Sequence, residues 1–74
     1  MTPEQIIAAV CASYDITIEE LRSPQRARHL VEARRDCIAS LRMNGLTTVQ
    51  IGGLLNRDHS AVLHHLKSLV EPLV

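Results

Sequence analysis

Apolar residues recur at spacings of three and four along most of the chain, the period of helices that pack by one face. Ile6, Ile7, Val10 and Tyr14 form the first such stripe. Thr2-Pro3-Glu4-Gln5 ahead of it reads as a helix start, with a Thr cap, Pro at the first helical position, an acid next, and Gln placed to close a capping box. Asp15 ends this helix, and Thr17-Ile18-Glu19-Glu20 opens a short turn through Leu21 with a second box. A long helix is expected from Ser23-Pro24 to about Met43, stopped by Asn44-Gly45, with Ala27, Leu30, Val31, Cys37, Ile38 and Leu41 as its stripe. Thr47 and Gln50 cap a further short helix that reaches Leu55. Val62, Leu66, Leu69 and Val70 mark a last one, which Glu71-Pro72 ends. The pattern predicts an all-α fold, a small helical bundle in one domain over residues 1–74.

The last two helices, over about residues 47–70, read as a helix-turn-helix. Gly52 sits where they must approach closely, and Asn56 follows where the turn needs a left-handed backbone. Asp58 is placed to cap the second helix and to suit its positive end. With Val62 facing the core, Ser60, Ala61, His64, Lys67 and Ser68 fall on the outer side of the helical wheel. Hydroxyls, imidazoles and a methyl on that face are suited to base edges in a DNA major groove.

Composition narrows the field. The chain is 46% hydrophobic with one Tyr and no Phe or Trp, so its core must be Leu, Ile, Val and Ala on packed helices. At 74 residues it lies near the lower limit for a core that stands without staples. No apolar run of about 18 residues is present to span a membrane, and no basic-then-apolar leader points to secretion, so a cytoplasmic protein is expected. Cys11 and Cys37 each lie in an apolar helical pattern and are read as buried, reduced thiols. There is no Gly-rich phosphate loop and no nucleophile with a positioned base, so no catalysis and no cofactor are expected. His64 and His65 diverge by roughly 100° on a helix, and no Cys or carboxylate lies at ligand spacing, so no metal is expected.

A net charge of zero argues at first against DNA, but its distribution reverses that. Residues 1–21 hold Glu4, Asp15, Glu19 and Glu20 with no Lys or Arg, a formal −4. Residues 22–67 hold all eight basic side chains against Glu32, Asp36 and Asp58, a formal +5. Such a basic face can dock phosphates if the acidic segment faces away, with modest non-specific affinity. Arg28, Arg35 and Arg42 recur every seven residues on the flank of the long helix, within about 40° of one another. They are candidate phosphate contacts, or else a solvated flank pairing with acids such as Glu32. Arg34 falls inside the buried stripe. It must therefore be paired, with a carboxylate or helix-end carbonyls as expected partners and its stem packed on the core.

Arg57-Asp58-His59-Ser60-Ala61-Val62-Leu63-His64 resembles the signature of the C-terminal DNA-binding domain of the bacterial replication initiator DnaA, in family terms Arg-Asp-His-(Thr/Ser)-Thr-Val-Leu-His. Ile51-Gly52 matches the family's Ile-Gly, Arg35 through Leu41 is similar to its Arg-Gln-Ile-Ala-Met-Tyr-Leu helix, and Val10 through Leu21 to its opening segment. The resemblance is collinear over nearly the whole chain, although the hinge from Met43 to Thr47 is about two residues shorter than the family's.

The resemblance implies a DnaA C-terminal domain-like fold that binds double-stranded DNA at DnaA-box-like sites, TTATNCACA in the family. It further implies that Asp58, His59 and Ser60 contact bases, and Arg57 a phosphate or base. Asp58 suits a cytosine amino group, His59 a guanine or thymine edge, and Ser60 either base or phosphate. Ala61 stands where the family has Thr, keeping a methyl and losing a hydroxyl. Either Arg34 or Arg35 takes the place of the family's base-contacting arginine, and Arg26 or Arg28 that of its minor-groove arginine. Lys67 completes the basic set. The family's ATPase module does not fit in 74 residues. The expected role is therefore docking in replication initiation or its regulation, by a monomer whose partner is double-stranded DNA, with the initiator DnaA or other replication proteins as further candidates. The rival reading is a helical protein-interaction module, or a transcriptional regulator at other DNA sites.

Overall fold

A computed structural model of the protein describes residues 2–70, with side chains up to Lys67. Among these residues the chain forms five helices and no strand: α1 (Pro3–Tyr14), α2 (Ile18–Arg22), α3 (Arg28–Met43), α4 (Thr48–Leu55) and α5 (His59–Val70). The Glu71-Pro72 stop lies outside the described residues. No helix among the described residues is long and apolar enough to cross a membrane.

Three helix starts are set by the local sequence, as predicted. Thr2, Thr17 and Thr47 each accept from the backbone N–H three residues on. Gln5, Glu20 and Gln50 accept from the N–H of the capping residue in return, all at 2.9–3.2 Å. A cap of this kind contributes about 1 kcal/mol, enough to fix a boundary in helices of 12, 5 and 8 residues. Asp15 closes α1 in the left-handed conformation at φ 54°, and Gly45 takes φ 94° just after Asn44 caps α3.

The long helix starts later than the sequence predicts, at Arg28 rather than at Ser23-Pro24. Ser23 is extended, and its hydroxyl donates to the Glu20 carbonyl at 2.7 Å, closing α2 instead of opening α3. The Ser23 and Gln25 carbonyls, which an earlier helix would use internally, accept from Arg34 at 2.8 and 2.6 Å. Ala27, assigned to the apolar stripe, is instead the exposed N-cap of α3. Its carbonyl accepts from Leu30 and Val31, and it has no side chain to cap with.

α3 is the axis of the bundle and packs against each of the other four helices. Its buried stripe of Leu30, Ala33, Cys37, Ile38 and Leu41 meets Ile6, Ile7 and Cys11 of α1, Leu21 of α2, Ile51 and Leu55 of α4, and Val62 of α5. Burying a Leu- or Ile-sized side chain contributes about 1.5–3 kcal/mol, which allows so small a core to hold without aromatic rings. The Tyr14 hydroxyl donates to the Asp36 carboxylate and fastens α1 to α3, a bond that raises the phenol's pKa. Cys11 and Cys37 are buried free thiols. Burial, and secondarily the neighbouring Cys11, pushes the Cys37 thiol up to about 12.

Candidate nucleic-acid interface

The turn between α4 and α5 is built on Gly52 and Asn56. A Cβ on Gly52 would stand 2.5 Å from the Arg57 carbonyl oxygen, so the turn can pass over α4 only where no side chain exists. The Arg57 N–H donates to the Gly52 carbonyl at 2.8 Å and locks that approach. Asn56 lets the chain reverse at φ 55°, ψ 45°, a region that Asn tolerates better than most residues. Both positions behave as the sequence predicts.

Beyond this turn the chain enters α5 with its polar tip in solvent. The Asp58 carbonyl accepts from Ala61 and Val62 at 3.0 and 3.3 Å, so Asp58 occupies the cap position of α5. Its side chain is 73% exposed and that of His59 is 55% exposed, with Asp58 Oδ1 and His59 Nδ1 3.2 Å apart. That pairing orients the imidazole and leaves Nε2 for another partner. Ser60 is exposed and Ala61 half-buried, while Val62 one position on is fully buried. The helix thus offers Asp58, His59 and Ser60 outward from its positive end and keeps its apolar stripe on the core.

Beside the tip lies a cleft of about 490 Å³ between the 23–27 loop and α5, whose lining includes Arg26, Arg34, Arg57, Ala61, His64 and His65 and, among the described residues, no carboxylate. Arg34 is only 4% exposed and binds the end of α2 and the loop. Its Nε donates to the Leu21 carbonyl at 2.8 Å, and its terminal nitrogens donate to the carbonyls of Glu20, Ser23 and Gln25. This is the helix-end carbonyl anchor predicted for it. Burial, then the nearby Arg57 charge, lowers its pKa. Arg57 is half-buried and donates to the carbonyls of Arg22, Ser23, Leu55 and Asn56.

The other basic residues differ in setting. Arg28 is almost fully exposed and pairs with Glu32 at 3.3 Å, one turn on. Arg35 is half-buried against α5. Its Nε is enclosed without a partner among the described residues, and its charge reaches His65. Arg42 donates to the Leu46 carbonyl at 3.1 Å, and Lys67 is exposed on α5. The three arginines spaced by seven therefore meet different surroundings: solvent and an acid, the α5 interface, and the α3–α4 hinge.

From the sequence, His65 is weighed only as a metal ligand, and its burial is missed. It is half-buried with Nδ1 enclosed and without a partner among the described residues, and burial lowers its pKa, followed by the charges of Arg35, His64, Arg34 and Arg57. Its position three residues after Val62 was the available signal, since that spacing returns a helix to the same face.

A buried-glycine turn, a left-handed Asn and a second helix presenting a polar tip define a helix-turn-helix protein. The family described as the bacterial dnaA protein helix-turn-helix matches residues 3–69, and the chain belongs to it. Over 75 aligned residues it is 39% identical to the chromosomal replication initiator protein DnaA of Thermomicrobium roseum. Identity to the proteins of that name from Chloroflexus aggregans and Chloroflexus aurantiacus is 33%. Each match covers 99% of this chain and 16% of the relative, so the chain spans about a sixth of the length of these relatives. No solved structure matches the chain at a significant level.

Proposed function

We propose that this chain binds double-stranded DNA sequence-specifically, reading DnaA-box-like sites with Asp58, His59, Ser60 and Ala61 at the head of α5. The observation that carries the reading is an exposed Asp-His-Ser tip set beside a cleft lined by Arg26, Arg34 and Arg57. Arg28, Arg35 and Lys67 supply phosphate contacts, and the acidic residues of α1 and α2 face away from the duplex. Arg57 belongs to the same surface. In the cell this is the docking step of replication initiation or of its regulation, performed in the cytoplasm by a monomer without ATP hydrolysis. The relatives carry the name chromosomal replication initiator protein, and this chain matches 16% of the length of the one from Thermomicrobium roseum.

The test is a titration of the chain with duplexes carrying TTATNCACA-like or scrambled sites at several salt concentrations. Specific binding should fall with salt, as expected when phosphate contacts release counterions. Replacing His59 by Ala should weaken the specific duplex by about tenfold or more, the worth of one base contact, and leave the scrambled one nearly unchanged. Equal loss on both duplexes, or no loss, would count against base reading. The rival reading, a protein-interaction module, draws on Met43 and Val49, which are 90% and 68% exposed. It gains if neither duplex binds.

A further inference from the structure

Arg57 sits next to the base-reading tip, and its sequence position invites the role of a phosphate or base contact. The hydrogen bonds describe a different task. Its guanidinium donates to the carbonyls of Arg22 and Ser23 on one side, and of Leu55 and Asn56 on the other. The first pair ends α2 and begins the loop that carries Arg26. The second pair ends α4. The Arg57 backbone is held as well, its N–H on the Gly52 carbonyl and its own carbonyl against the bare Cα of Gly52. From the opposite side Arg34 of α3 reaches the same loop, and the Ser23 carbonyl accepts from both arginines.

We infer that Arg57 is a positioning residue: it fixes the basic loop 23–27 relative to the head of α5, so that the arginines leading into α3 and the reading tip meet the DNA in register. This inference rests on the DNA-reading proposal above. The geometry suits a guanidinium and no other side chain. Two terminal nitrogens in one plane reach carbonyls on two separate segments, whereas a lysine ammonium is a single point on a flexible stem. Those carbonyls need the donors too, because peptide oxygens at the ends of α2 and α4 have no partner within their own helices. A guanidinium committed to four carbonyls contributes charge to the cleft but has little freedom to turn toward a phosphate.

Arg57→Lys and Arg57→Gln separate the two roles. Loss of a phosphate contact weakens binding on every sequence and lowers the salt slope by about one, and Lys largely restores it. Loss of a positioning contact lowers the ratio of specific to scrambled binding by about tenfold in both variants, and Arg57→Lys, which keeps the charge, does not rescue it although scrambled binding and its salt slope stay at the wild-type level. A second measurement needs no DNA. Amide hydrogen exchange of residues 22–27 should quicken by about tenfold or more in both variants, while α1 and the centre of α3 keep their protection. The inference is overturned if Arg57→Lys keeps wild-type specificity or if loop exchange is unchanged. A wild-type chain that does not discriminate between duplexes would defeat the DNA-reading proposal instead. The exchange measurement would then still decide whether Arg57 holds the loop.

Discussion

Adjacent glycines in α4 should respond to the same substitution with opposite sign. Both lie within a helix, where replacing Gly by Ala is worth about 0.5–1 kcal/mol in favour of the folded state. At Gly53 the added methyl would meet no heavy atom within 4 Å, so that gain stands alone. At Gly52 it would meet the Arg57 carbonyl oxygen at 2.5 Å, and the neighbour is backbone that cannot rotate away. Moving it strains the bond from Arg57 N–H to Gly52 and drags the head of α5. Overpacking of a filled site costs about 1–3 kcal/mol, which exceeds the propensity gain. Gly52→Ala should therefore destabilise by about 1–2 kcal/mol net. A domain of this size moves about 4–8 °C in Tm per kcal/mol, so Gly52→Ala should melt about 4–16 °C below the parent and Gly53→Ala about 2–8 °C above it. Circular dichroism melts and urea titrations of the three proteins measure this. A Gly52→Ala protein at least as stable as the parent would refute the close approach of the turn to α4.

Three further outcomes follow from buried groups. Arg34→Leu should cost about 3–5 kcal/mol in urea unfolding, because the carbonyls of Glu20, Leu21, Ser23 and Gln25 lose their shared donor inside the protein. His65 has its pKa lowered from 6.5 in the folded chain, so the unfolded chain binds the extra proton first and stability falls as pH drops below about 6.5. Thermal melts from pH 7.5 to 5 should show that decline, and His65→Gln should flatten its part of the slope. Cys37, with its thiol raised to about 12 and fully enclosed, should resist a thiol reagent at pH 8 until denaturant is added. Rapid labelling of the native chain would place the residue outside the core.

Whatever depended on local spacing was legible in the sequence. The capping boxes at Thr2, Thr17 and Thr47 and the left-handed turn at Asn56 are satisfied within four residues, and the structure has them where the pattern put them. The buried place of Arg34 was also legible, because a helical wheel reports which face a residue occupies. What the wheel cannot report is a partner far away in the chain. The start of α3 was misplaced because Ser23-Pro24 is a sound local helix start, and it is overruled by Arg34 drawing the loop carbonyls from nine to fourteen residues on. The same blindness hid the ties from Arg57 to Arg22 and Ser23, which cross 34 to 35 residues of sequence. The exposed tip was anticipated from the family signature, whose residues the sequence carries outright.

Arg34 and Arg57 converge on the oxygen of Ser23, and after burial the Arg57 charge is what lowers the pKa of Arg34. Peptide carbonyls hold the two guanidinium groups side by side. An anion arriving in the cleft would offset the repulsion between them. Ligand capture and stiffening of the scaffold are then a single event, and the domain should grip most firmly while it is in use.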